Sequence, residues 1–220
     1  MTDEPVKSSK RLLEPQERIA EVLFGLIMVL TLTGSLSVAE AGRPEIRTML
    51  IGALGCNFAW GIIDGVLYLM GCLAEKSRNL TAFRAVRKST DPQKAQQIIA
   101  GALPPVVASI LQPAELETMH QRLKDLPEPP EHARLVRDEW FGALAVFLWV
   151  FVATFPVVIP FTIMKHAHLA LRISNAIAIG MLFLTGYAFG RITSRHPWVM
   201  GVSMVALGVM LVALTIALGG

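Results

Sequence analysis

The chain has 220 residues, 53% of them hydrophobic, with a mean hydropathy of +0.53 and a formal net charge of +3. That composition belongs to a membrane protein rather than a water-soluble globule, and no basic run is dense enough for nucleic-acid binding. Cys56 and Cys72 lie 16 residues apart in one predicted helix, so they neither bridge each other nor form a metal-binding CxxC.

Five runs of bilayer-spanning length are visible: 22–39, 48–74 (broken once, by Asp64), 140–164, 173–190 and 197–220. The expected fold is an all-α integral membrane protein with five transmembrane helices. A small helical cytoplasmic segment, 75–139, separates helices 2 and 3. The layout is then a cytoplasmic tail over 1–18, helices 1 and 2 over 19–74, the segment over 75–139, and helices 3 to 5 over 140–220.

The polar N-terminus has no short apolar core followed by a small-residue cleavage site, so the first span reads as an uncleaved anchor. Glu14-Pro15 suits the start of a helix leading into it. The second half of that span carries Thr31, Thr33, Ser35 and Ser37 around Gly34. Hydroxyls in membrane helices either bond back to their own carbonyls or line a hydrophilic path. Glu21 and Glu40 bracket the span, as solvated ends or as vestibule charges for cations.

The second span centres on Asp64, its lone charge. An ionised carboxylate in hydrocarbon costs about 2.5–3.5 kcal/mol on insertion scales, so it faces a partner or a water-filled cavity. Asn57, Gly61 and Asp64 fall at i, i+4 and i+7, on one polar, small-residue face. Gly61 and Gly65 form a GxxxG that lets another helix approach Asp64 closely. Asp64 is either an ion-binding group, with Asn57 beside it and Met70 as a soft contact, or a hydrogen-bonded packing residue. If the span ends near Leu73, Asp64 lies about 14 Å from the cytoplasmic end. A first span entering near Ala20 then puts Val29 and Leu30 level with it, and Thr31 and Thr33 within a turn.

In 75–139, Asp91-Pro92 predicts an N-cap with proline at N1, opening a helix over 92–102 that Leu103-Pro104-Pro105 ends. Pro113 opens a second amphipathic helix with Leu116, Met119 and Leu123 on its apolar face. Glu117 and His120 form a Glu-x-x-His pair there, a spacing that recurs in carboxylate-bridged metal sites, with Glu115 nearby. Pro127-Glu128-Pro129-Pro130 is a stiff connector.

The third span contains Pro156 and Pro160, whose freed carbonyls must be satisfied by neighbours or a cavity. His166-Ala-His168 follows in a loop. The fourth span carries a second GxxxG, Gly186 to Gly190, and Gly201 and Gly208 in the fifth suit close packing. For orientation, the side with the tail, the long segment and the last loop holds Lys7, Lys10, Arg11, Arg18, ten further basic residues, Arg191 and Arg195. The other side holds Arg43, Arg47, Lys165 and Arg172. The positive-inside rule therefore makes the N-terminus cytoplasmic and the C-terminus not.

Three stretches resemble the vacuolar iron transporter family: the first-span run from Phe24 to Gly34, the third span from Gly142 through Pro156 and Pro160, and Leu182 to Arg191 in the fourth. Five spans with a soluble segment between the second and third are also similar to that family. The resemblance implies a homodimer that moves Fe²⁺ or Mn²⁺ out of the cytosol against protons. It implies a pathway lined by first-span helices at the dimer interface and a soluble helical domain that collects metal with glutamates. The family's first-span acid is matched here by Phe24, and its second-span methionine falls near Asp64-Gly65.

Two functional readings follow. The first is a proton-coupled transporter for divalent cations, with Asp64, Asn57, Met70, Thr31 and Thr33 on the ion path and Glu117, His120 and Glu115 as metal ligands in the soluble segment. A carboxylate is a hard oxygen ligand suited to either ion, which is cargo rather than a resident cofactor. The second is a membrane scaffold that keeps the family fold and binds a partner through 75–139. No nucleophile–base pair or phosphate loop supports an enzyme. The expected location is the bacterial inner membrane.

Overall fold

The computed structural model describes residues 15–34 and 43–217, and every element among them is a helix. Glu40, Ser35 and Ser37 lie outside the described residues, as do the side chains of Thr33 and His168. The chain divides into two compact units, one of residues 1–68 and 140–220 and one of residues 69–139.

The first unit contains α1 (Pro15–Gly34), most of the apolar part of α2 (Arg43–Lys88), α6 (Arg137–Ala153), α7 (Phe155–Ile163), α8 (Ala167–Ile192) and α9 (Pro197–Ala217). Among the described residues, three stretches are long and apolar enough to cross a membrane: Ile46–Lys88, Arg137–Ile163 and Leu169–Ile192. Pro197–Leu211 is a shorter apolar helix. α1 has 20 residues and carries Glu17, Arg18 and Glu21 in its first turns.

The core of this unit is Leu26, Val29 and Leu30 of α1 packed with Ala53 of α2, Val157 and Val158 of α7, and Ala178 and Leu182 of α8. Lipid tails are as apolar as leucine, so close packing rather than exclusion from water holds such helices together. Glycines provide the closeness. A Cβ on Gly61 would come 2.9 Å from the Phe147 ring, and one on Gly65 would come 3.1 Å from the Ala143 carbonyl oxygen. The second GxxxG behaves alike: Gly186 meets the Met200 carbonyl and Gly190 meets Pro197. Both GxxxG stretches are thus filled by helices of the same chain.

The proline-containing span breaks once, at Thr154 between α6 and α7. Pro156 sits in the first turn of α7, where no amide donor is required. Pro160 lies inside α7, and Ser174 of α8 donates its hydroxyl to the nearby Val157 carbonyl at 2.6 Å. Pro160 frees the carbonyl of Pro156, not that of Val157, so this bond ties α7 to α8 without replacing the one that the proline removes.

The second unit is built on the polar continuation of α2, with α3 (Pro92–Ala102), α4 (Pro105–Ile110) and α5 (Pro113–Asp125). α3 begins as the sequence predicts: Asp91 caps it by accepting from the Gln93 amide at 2.9 Å, with proline at N1. α5 also starts at its predicted proline. Gln112 is its N-cap, and the Glu115 carboxylate closes a capping box by accepting from the Gln112 amide at 2.7 Å. Val86, Ala95 and Ile99 form the core, with Leu116, Met119 and Leu123 packed against it. Arg84 and Arg87 donate to the Pro130 and Leu126 carbonyls, which ties the proline connector to α2. Lys76 pairs with the buried Glu139 at 2.7 Å and donates to the Arg134 carbonyl.

Candidate functional site

One hydrogen bond marks the register of α1 against α2. Asn57 is fully buried and its Nδ2 donates to the Gly25 carbonyl at 3.4 Å. Around it, Phe24 meets Trp60 edge-on with ring centroids 5.4 Å apart, and Leu26, Val29 and Leu30 share a cluster with Ala53. Higher numbers on α1 therefore pair with lower numbers on α2, as in an antiparallel pair. A third helix closes in, because a Cβ on Gly25 would lie 2.7 Å from the Val150 carbonyl oxygen of α6.

Seven residues on from Asn57, or about 10 Å along the axis, stands Asp64. The same displacement on α1 runs back from Gly25 to the turn holding Arg18 and Glu21. Glu21 lies within electrostatic reach of the Asp64 carboxylate and of Glu17. Asp64 Oδ2 is buried and has no hydrogen-bond partner, and Asn57 Oδ1 is in the same condition. No ion pair joins Glu21 or Asp64 to a basic residue among the described residues, although Arg18 stands one turn before Glu21.

This register corrects the depth inferred from the sequence. Val29 and Leu30 pack beside Ala53, not level with Asp64. Thr31 lies beyond them, about 20 Å along the axis from Asp64 by the same pairing, and its hydroxyl donates back to the Ile27 carbonyl at 2.8 Å. The error has a physical cause. α1 starts at Pro15 and α2 continues unbroken to Lys88, so neither helix ends where its apolar run ends. Met70 is 60% exposed. The structure thus gathers Asp64, Asn57 and Glu21 along one α1–α2 seam, and it does not bring Thr31 to Asp64. Glu21 was legible as a charge at the end of a span. Its role was hidden because its opposite number depended on the register.

In the second unit His120 is 1% exposed, and neither ring nitrogen has a hydrogen-bond partner. Its Nδ1 lies 3.7 Å from Glu117 Oε2. Glu117 is occupied elsewhere: it accepts from Gln121 at 2.7 Å and from Gln96 of α3 at 3.2 Å. The Gln121 and Gln96 bonds, with the nearby His120, hold the Glu117 carboxyl below the ordinary glutamate value. Glu115 is committed to its capping box. Among the described residues no group of three or more His, Cys, Asp or Glu side chains is placed to hold a metal ion. Glu117, His120 and Glu115 therefore share one helix without converging on one point.

Chemically, the α1–α2 seam offers the hard oxygen donors of Asp64 and Glu21, with no salt bridge to either among the described residues. Carboxylates within electrostatic reach of each other repel where water is scarce, and a bound cation or proton lowers that cost. Helices throughout the described residues, with three stretches long and apolar enough to cross a bilayer, define the class as integral membrane proteins. The sequence profile of the VIT family matches residues 79–220. The chain belongs to that family, the vacuolar iron transporters, whose members move metal ions across membranes. The matched residues include α3 to α9, whereas Glu21, Asn57 and Asp64 precede them. No curated protein matches the chain.

Proposed function

We propose that the chain is a five-span exporter of divalent cations, Fe²⁺ or Mn²⁺, that exchanges them for protons and works as a homodimer with its N-terminus in the cytoplasm. The observation that carries the reading is the buried, unpartnered Asp64 Oδ2 with Glu21 in electrostatic reach. Two carboxylates supply up to four oxygens to a hard cation, and water or a second copy completes its shell. The same oxygens take up protons when the cation leaves, and this competition couples the two fluxes. Asn57 Oδ1, deeper along the same face of α2, is the next free acceptor on the way across. The five-span count adds α1 and α9 to the three long apolar stretches, and the Lys/Arg distribution supports the orientation.

The test is uptake of Mn²⁺ or Fe²⁺ into proteoliposomes containing only this protein, with a pH dye inside. Metal-dependent proton movement is the expected result, and metal-independent pH traces would overturn the proposal.

One observation favours a second reading, a family-fold scaffold without transport. Phe24 occupies the position of the family's first-span acid and packs on Trp60 rather than opening a polar path. The scaffold reading predicts no flux of any divalent ion in the same vesicles.

A further inference from the structure

α4 is an unusual element for a water-facing surface. None of its residues is buried: Val106 is 76% exposed, Ile110 is 72% exposed, and Val107 is exposed as well. It lies within residues 95–114, a stretch without a single Asp, Glu, Lys or Arg. Contiguous exposed apolar side chains with no interspersed charge mark a contact with a membrane or another protein.

The position of α4 along its own unit favours the membrane. α3 packs antiparallel to the continuation of α2, since Val86 joins Ala95 and Ile99 in the core. Nearer the C-terminal end of α3, a cleft of about 210 Å³ is lined by Asn79, Ala82 and Phe83 from α2 and by Ala102 and Leu103. Counting eight residues forward along α3 from Ala95 and seven back along α2 from Val86 brings Leu103, the residue that leads into α4, near the level of Asn79. The apolar run of α2 ends at Ala74, only five residues before Asn79, or about 7.5 Å along the axis. The polar headgroup layer on each side of the hydrocarbon is of just that thickness, about 5–8 Å. α4 thus starts at the depth of the lipid interface, on a unit tethered to membrane helices at both of its ends.

We propose that α4 is an interfacial foot: Val106, Val107 and Ile110 rest in the boundary between headgroups and acyl chains and hold the 69–139 unit against the bilayer. Short apolar helices lie in that plane with their side chains reaching about 5–10 Å into the boundary. The prolines suit the role, because Pro104 turns the chain away from the axis of α3 and Pro105 opens α4. The proposal is independent of whether the protein transports metal.

The test places single cysteines at Val106, Ile110 and, as a control, Gln93 at the far end of α3, in full-length protein lacking Cys56 and Cys72. Each is labelled with an environment-sensitive fluorophore and reconstituted in phosphatidylcholine–phosphatidylglycerol vesicles. Brominated acyl chains and aqueous iodide serve as the two quenchers. Probes at 106 and 110 are expected to lose emission to brominated lipid and to resist iodide, with the reverse at 93. If iodide quenches 106 and 110 as it does 93, α4 faces water and the proposal fails. If both quenchers fail at 106 and 110, protein covers α4, and a docking surface for a second copy or another chain replaces the lipid contact.

Discussion

Asn57 donates to the carbonyl of Gly25, and this bond marks the register in which α1 and α2 face each other. Because the two helices run in opposite directions, the bond places Glu21, four residues before Gly25, on the side of Asp64. Glu21 and Asp64 lie on different helices, and only the pairing of α1 with α2 brings one within reach of the other. The site is therefore a product of helix register rather than of local sequence.

That dependence is testable at Gly25. Any side chain there collides with the Val150 carbonyl, whose oxygen lies 2.7 Å from the position a Cβ would take. Backbone cannot swing aside as a flexible side chain can. Gly25→Val is expected to cost about 1–3 kcal/mol through overpacking. Reversible unfolding in detergent, followed by circular dichroism, checks this, and an unchanged midpoint would show that α1 does not approach α6 so closely.

The ion pair of Lys76 with Glu139 predicts a second loss. Glu139 is 8% exposed and also accepts from the Val136 amide, so it orders the entry to α6. Lys76→Met leaves a buried carboxylate without its ammonium partner. The expected destabilisation is about 1.5–3 kcal/mol, the worth of a charge-assisted hydrogen bond. Lys76→Met paired with Glu139→Gln should recover part of that loss in the same unfolding measurement.

Glu117 supplies a pH dependence of known sign. Its carboxyl is held low mainly by the Gln121 amide, then by Gln96 and His120. A group whose folded value is lowered contributes stability above its unfolded value, and the contribution fades as pH falls through the lowered one. Gln121→Ala should move the titration of Glu117 upward, toward the ordinary glutamate value, as read by carboxyl NMR. An unchanged titration would mean that the Gln121 bond does not form in solution.

Topology is open to labelling at exposed positions. Cysteines at Thr90 and Ser194 should react from one side of the membrane and a cysteine at Lys165 from the other, in protein lacking Cys56 and Cys72. Labelling of all three from one side would break the five-span proposal.

Much of this architecture is readable in the residues. Asp91-Pro92 and Pro113 announce α3 and α5 because a cap and a fixed proline φ act locally. Pro156 announces the break in the third span for the same reason. The 75–88 continuation of α2 escaped, since its polar residues carry no stop signal and a helix does not end merely because hydrocarbon does. α4 escaped as well: Pro104-Pro105 reads as an interruption, and a helix of six residues is too short to show a period. The acidic seam was half legible. Asp64 stands out as a charge among apolar neighbours, whereas the importance of Glu21 depends on a contact between helices that no spacing encodes.

The central claim is that Asp64 binds cation and proton by turns. Metal-dependent proton movement in proteoliposomes, compared between the native protein, Asp64→Asn and Glu21→Gln over a range of pH, tests it most directly. The amide is nearly isosteric with the acid and still hydrogen-bonds, so Asp64→Asn should fold normally while losing metal-dependent proton movement. Glu21→Gln should weaken metal binding. In the native protein, metal binding should weaken as pH falls, because protons compete for the same oxygens. If Asp64→Asn carries or binds Mn²⁺ with the native pH dependence, Asp64 is a packing residue and the seam is not the path.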